Sequence, residues 1–298
     1  MLHEFALAPG LFDPRTVRSS EGVQCNLKHV LGILCESGLI ADLSHDDWIS
    51  QVTRNVGNMP SRALRRSLME LLARAADRRR LVPYPEPRIH ADATDESWVR
   101  AALLAADQLR AVITDKVTKE AAFPDNQRIV PIDEAIGSTW MEVPSSIDLK
   151  KNVAGMTRFL EPLLRHASRI SLADRYMSCR SNTSLTTLRI VVSLLRNRKH
   201  PEDLDARIRG WRDSIGSLGS RPLAVRVSFW GDDDEIFHDR YVFTDQCAVS
   251  VPAGLGCYSS RRANTTRCAR LMYYQLADVH RSVQRNTSPY TLLGSAVI

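Results

Sequence analysis

The densest run of chemically capable side chains is His238-Asp239-Arg240-Tyr241-Val242-Phe243-Thr244-Asp245. It sets an imidazole at the first position, a fixed cation at the third and a carboxylate at the eighth. On an extended strand the first and third side chains point to the same side. The His238 ring and the Arg240 fork therefore face one site. Imidazole exchanges protons near neutral pH, and a guanidinium grips an anion through parallel N–H bonds. Asp245 falls near the end of that strand, where the chain turns. The following AVSVPAGLG, residues 248–256, reads as a second strand that closes on Gly254 and Gly256. Such a turn lets backbone N–H groups come close to an anion.

Other residues sit where they can join that site. Asp174 follows a short apolar strand, residues 169–173. Asn182, Thr183 and Ser184 open a helix whose N-terminus can face a phosphate. Arg261 and Arg262 precede the last predicted helix and can contact a nucleic-acid or lipid phosphate. Each also has a plain structural role. His238 can pair with Asp239 or Asp245 to hold a turn, and Arg240 can be a surface strand arginine. Asp174 can cap a helix or partner an arginine. Ser184 and its neighbours, like Arg261 and Arg262, can be simple capping groups.

The spacing of His238, Arg240 and Asp245 resembles the HxKx4D signature of the phospholipase D superfamily, with Arg240 at the lysine position. The layout around it also resembles one phospholipase-D half: a strand ending near Asp174, helices, a strand pair and a glycine-containing turn. It is similar to the phospholipase-D-like C-terminal domain of MIT-domain proteins, where an HDR segment serves phosphoinositide binding. The resemblance covers residues 148–298. It implies metal-independent phosphodiester chemistry that needs no cofactor. His238 would be the nucleophile, Asp245 the carboxylate that orients its ring, and Arg240 the group that holds the phosphate oxygens. Asp174, Ser184, Gly254, Gly256, Arg261 and Arg262 would complete phosphate binding. A second histidine must protonate the leaving oxygen, yet no other histidine begins a similar run. A one-motif chain completes such a site by pairing two copies across a twofold axis. The alternative is a module that binds phosphate without cleaving it, inside a larger nucleic-acid-directed assembly of the kind found in bacterial defence or mobile-element systems.

The elements that must position these groups fall into two halves. Residues 1–147 read as a mainly helical partner-binding or scaffold domain. Helical stripes run over 21–37 and over 62–80, the second with an arginine-covered surface. Residues 81–88 (LVPYPEPR) read as an extended connector, because prolines bar a helix. A helix is expected over 95–120, and short strands over 128–132 and 139–143. Residues 148–298 read as an α/β domain with a mixed sheet. Helices are expected over 150–166, from 182 onward, over 201–218 and over 264–285. Strands are expected over 169–173, 223–230, 239–244 and 248–252.

Composition narrows the rest. The chain has 298 residues, 44% hydrophobic and 25% charged, which is globular rather than disordered. Its 40 Lys and Arg against 34 Asp and Glu give +6, and most of the cations are arginine. That suits a phosphate-bearing partner, nucleic acid above all. No apolar run is long enough to span a membrane, and the N-terminal residues lack a signal-peptide pattern. The six cysteines form no CxxC pair, so reduced cytoplasmic thiols are expected. P-loop, dinucleotide-fold, nucleophile-elbow and HExxH motifs are absent from the sequence. The acidic run Asp232-Asp233-Asp234-Glu235 reads as a solvated turn.

Overall fold

The computed structural model describes residues 2–18, 21–44, 47–84, 89, 93–105, 109–167, 170–174, 176–177, 180–196, 226–231, 240–258, 264–282 and 291–297. The chain divides into two compact units, Leu2–Val143 and Pro144–Ile298.

The first unit runs β1 (His3–Leu7), a 3-10 turn (Pro9–Phe12), α1 (Pro14–Arg18), α2 (Glu21–Ser37), β2 (Gly38–Asp42), α3 (Asp47–Gly57), α4 (Arg62–Asp77) and β3 (Leu81–Pro83). It continues with α5 (Asp95–Leu104), β4 (Leu109–Thr114), α6 (Lys116–Ala122), β5 (Ile129–Pro131) and α7 (Ile132–Ala135). The strands form one sheet in the order β3-β2-β1-β4-β5, and every pairing is parallel. Parallel strands buried on both faces read as short apolar runs. Phe5, Ala6, Leu7, Leu39, Ile40, Ala41 and Ile113 are fully buried. The helices expected over 21–37 and 62–80 are α2 and α4, and Ser61 caps α4 by accepting the Leu64 N–H.

Four readings of this half are refined or corrected. Helices make up most of its regular structure, as expected, and they surround a five-stranded sheet that was not expected. The helix expected over 95–120 is α5, β4 and α6. Leu109, Val112 and Ile113 fit a helical stripe as well as they fit a strand, and Asp115 caps a new helix by accepting the Thr118 N–H. The proline-rich connector begins as β3, an edge strand, where proline is tolerated. Residues 139–143 are turns and irregular chain rather than a strand.

The second unit runs β6 (Ser146–Lys150), α8 (Val153–Leu164), β7 (Ile170–Ala173), α9 (Asn182–Arg196), β8 (Arg226–Gly231), β9 (Tyr241–Thr244), β10 (Ala248–Ser250), β11 (Thr265–Arg270), α10 (Tyr273–Ser282) and β12 (Thr291–Val297). Five strands form a sheet ordered β6-β11-β10-β9-β7, and β12 pairs with β8 in a separate ribbon. The α/β class therefore holds in both units. Among the described residues, every strand pair of the second unit is antiparallel, so parallel and antiparallel pairing are segregated rather than mixed there. The expected helix over 150–166 gives its first residue to β6, and Asn152 caps α8 through the Gly155 N–H at 2.8 Å. The expected helix from 264 is first β11, whose β-branched Thr265 and Thr266 pair with Lys150 and Leu149 respectively. The helix resumes only at Tyr273. The helix expected over 201–218 lies outside the described residues.

Candidate functional site

Register brings the site together. In the β7–β9 ladder Ala173 lies opposite Tyr241, and in the β9–β10 hairpin Tyr241 lies opposite Ser250. One step further along each strand sit Asp174, Arg240 and Val251, in a row at one end of the sheet. The Val251 N–H donates to the Arg240 carbonyl at 2.7 Å, which continues the ladder to that row. The chain then turns over Val251-Pro252-Ala253-Gly254, closed by a 2.8 Å bond from the Gly254 N–H to the Val251 carbonyl. Proline presets the second position, and Gly254 takes φ +77° at the fourth.

Arg240 crosses this turn. One terminal nitrogen donates to the Pro252 carbonyl, and the guanidinium lies 4.8 Å from the centre of the Tyr176 ring. Its Nε is 3.7 Å from Asp174 Oδ1. The Asp174 carboxylate, 5% exposed, is committed to backbone. Oδ2 accepts the Leu255 N–H at 2.8 Å and Oδ1 accepts the Tyr176 N–H at 2.9 Å. The Arg240 Nε is buried and makes no hydrogen bond. Asp174 Oδ1 at 3.7 Å offsets its charge but lies beyond hydrogen-bond reach, and a buried donor without a hydrogen bond costs about 1–3 kcal/mol. An incoming anion can recover that by supplying the acceptor.

A second cation arrives that the sequence did not reveal. Lys151, just past β6 and 3% exposed, donates from Nζ to the Ala253 carbonyl at 2.5 Å. Its Nζ lies 5.1 Å from the centre of the Tyr258 ring. Burial holds the Lys151 pKa below the usual lysine value, and the Arg240 charge pushes the same way; the Asp174 carboxylate opposes them. Two cations thus hang from consecutive carbonyls around one carboxylate. The nearby thiols are poor nucleophiles: burial raises Cys257 and pushes Cys268 to about 11.

The start of α9 closes the corner. The Cys257 N–H donates to the Thr183 carbonyl at 3.1 Å, and the Thr187 hydroxyl donates to the Leu255 carbonyl. A Cβ on Gly256 would lie 3.1 Å from Thr183 Oγ1. A Cβ on Gly254 would lie 2.9 Å from Asp174 Oδ2 and 3.2 Å from Arg240 Cδ. Gly254 is therefore needed for the turn as well as for close packing, and Thr183 leaves little room for a side chain at Gly256.

Of the residues singled out in the sequence, Asp174, Arg240 and Gly254 meet directly. Gly256 adjoins α9 beside Thr183, and Ser184 is buried in the first turn of that helix. Asp245 sits in the hairpin turn between β9 and β10, at the opposite end of β9 from Arg240. Five residues of extended chain, about 16 Å, separate them. His238, Arg261 and Arg262 lie outside the described residues, as does the run 232–235. Lys151, Tyr176 and Tyr258 had no motif to mark them. Lys151 is one of only six lysines among the 40 basic residues, and that scarcity was its single trace in the sequence.

The first unit holds a different cleft. Its strand order reverses between β1 and β4, and open parallel sheets bind ligands beside such a reversal, at the carboxyl ends of the strands. A polar cleft of about 400 Å³ there is lined by Gly10, Asp13, Arg15, Gln51, Asn55 and Asp95, among others. The Gly10 N–H donates to Asp95 Oδ1 at 2.9 Å, and burial raises the Asp95 carboxyl to about 6. The Trp48 indole N–H donates to the Leu7 carbonyl at 2.8 Å, which fixes α3 against the end of β1.

No family model matches the chain, and no curated protein or solved structure matches it. No described helix is long and apolar enough to cross a membrane. The described cysteines Cys25, Cys35, Cys247, Cys257 and Cys268 carry free thiols.

Proposed function

We propose that the C-terminal unit takes a phosphodiester of a nucleic acid at the Arg240 corner and cleaves it through His238 in a homodimer, as a phosphodiesterase of the phospholipase D kind. The observation that carries this reading is the Arg240 Nε–H, buried without a hydrogen bond beside a carboxylate already committed to two backbone N–H groups. A phosphate oxygen would be the acceptor that the Nε–H lacks, while a terminal nitrogen keeps its bond to the Pro252 carbonyl. Lys151 adds charge beneath the same loop. In the reaction a His238 nitrogen would attack phosphorus while the leaving oxygen takes a proton from the partner subunit's His238. Water would then cleave the phospho-histidine and restore both rings.

A second reading, phosphate binding without cleavage, is favoured by the distance of Asp245 from Arg240. That separation leaves the ring-orienting carboxylate away from the phosphate anchor. One experiment tests both. The full chain is incubated with DNA and RNA in EDTA, beside His238→Ala and Arg240→Ala. Cleavage that survives chelation and vanishes in His238→Ala supports the enzyme. Binding without cleavage, weakened at least tenfold by Arg240→Ala and by added salt, supports the module. Binding and cleavage indifferent to Arg240 would remove the basis of both.

A further inference from the structure

We infer that the ligand of this site is a single-stranded nucleic acid whose bases stack on Tyr176 and Tyr258; this rests on the phosphate reading of the Arg240 corner and extends it to the rest of the strand. Tyr176 is 64% exposed and Tyr258 37% exposed. Both rings reach solvent at the rim of a buried, polar corner. Each ring is paired with one of the two site cations: Tyr176 with Arg240 at 4.8 Å, and Tyr258 with Lys151 at 5.1 Å.

The two pairs belong to one surface. Arg240 and Lys151 are held by the carbonyls of Pro252 and Ala253, consecutive residues of one turn. The Tyr176 N–H and the Leu255 N–H share the Asp174 carboxylate, and the Tyr258 N–H donates to the Lys151 carbonyl at 2.8 Å. A Cβ on Gly256 would lie 3.7 Å from the Tyr258 hydroxyl. The ordering is thus ring, cation, glycine turn, cation, ring. Arg240 would meet the phosphate backbone, Lys151 would add charge from beneath the turn, and the flanking rings would take bases; a cationic groove flanked by aromatic rings is how single strands are held without sequence preference. The cation under each ring also fixes its orientation before the ligand arrives, so less freedom is lost on stacking. A duplex hides its base faces in its own stack and cannot use the rings.

The test measures binding of the full chain to three probes: a short labelled oligothymidylate, a duplex of the same length, and an abasic phosphodiester strand of the same length. The inference expects the oligothymidylate to bind tightest. Tyr176→Ala and Tyr258→Ala should each weaken it about tenfold and leave the abasic strand unchanged, while the Phe substitutions keep most of the affinity. Arg240→Ala should weaken all three probes. Thermal melts of the Ala and Phe variants separate lost stacking from lost folding. Equal losses on the abasic strand, or a duplex bound as tightly as the single strand, overturn the stacking inference and leave the phosphate reading standing. An abasic strand that fails to bind, or that binds equally well to Arg240→Ala, overturns the phosphate reading itself. Phosphoinositide vesicles serve as a fourth, control probe, and a preference for them over every strand overturns the stacking inference and the nucleic-acid substrate of the phosphate reading.

Discussion

Asp95 shows what a single carboxyl does when the fold presses it against backbone. A Cβ on Gly10 would meet its Oδ2 at 2.0 Å, so the pair exists only because residue 10 is glycine. Burial is the main cause that lifts its pKa from 3.8 to about 6, with the charges of Asp115 and Asp13 adding to it; the Gly10 N–H opposes them. The folded state thus binds this proton more tightly than the unfolded chain. The stability it contributes is full below about pH 4 and is lost as pH rises through 6. Asp95→Asn keeps an acceptor for Gly10 and has no charge to bury. It should match the wild type at pH 4 and exceed it at pH 7.5 by up to about 3 kcal/mol, measured by denaturation at both pH values. A parallel response of the two proteins to pH would refute the assignment. At this scale the sequence was legible where neighbours in the chain are also neighbours in space. Arg240 and the glycines Gly254 and Gly256 were visible as spacing. Lys151 was not, because only the β6–β11–β10 pairing carries it to Ala253.

Elements were legible when their period was unambiguous. α2 and α4 are long amphipathic helices, and a stripe repeated over several turns has one reading. β1, β2 and β4 are short and mostly buried, with apolar runs interrupted by only a polar residue or two such as Glu4, Asp42 and Arg110, so period alone cannot tell them from buried helix. β11 was hidden differently: residues 264–270 read as the start of the last helix, and only pairing with β6 reveals a strand. The turn after β10 is the element on which the candidate site depends. Gly254→Ala forces an L-residue into φ +77° and pushes a methyl to 2.9 Å from Asp174 Oδ2. We expect a loss of about 1–3 kcal/mol in denaturant unfolding, together with weaker phosphodiester binding, because Arg240 and Asp174 share that turn. Unchanged stability would mean that the turn relaxes without strain.

At the scale of the whole molecule, the chain carries +6 with a pI near 9.1, which raises the local concentration of polyanions without deciding which one binds. The proposed chemistry needs two copies, since one chain supplies one motif. Light scattering should therefore report a species of twice the 33.5 kDa chain, and cleavage should fall faster than protein concentration on dilution. A monomer that cleaves at undiminished specific rate would exclude the shared histidine pair. The order β3-β2-β1-β4-β5 has one more consequence, for synthesis. β1 is the central strand of its sheet, flanked by β2 on one side and β4 on the other. During translation its first edge is met once Gly38–Asp42 has emerged, but its second stays bare until Leu109–Thr114 leaves the ribosome. A strand edge that is mostly apolar, over Phe5, Ala6 and Leu7, and held open for that interval is a target for chaperones and for pairing with a neighbouring nascent chain.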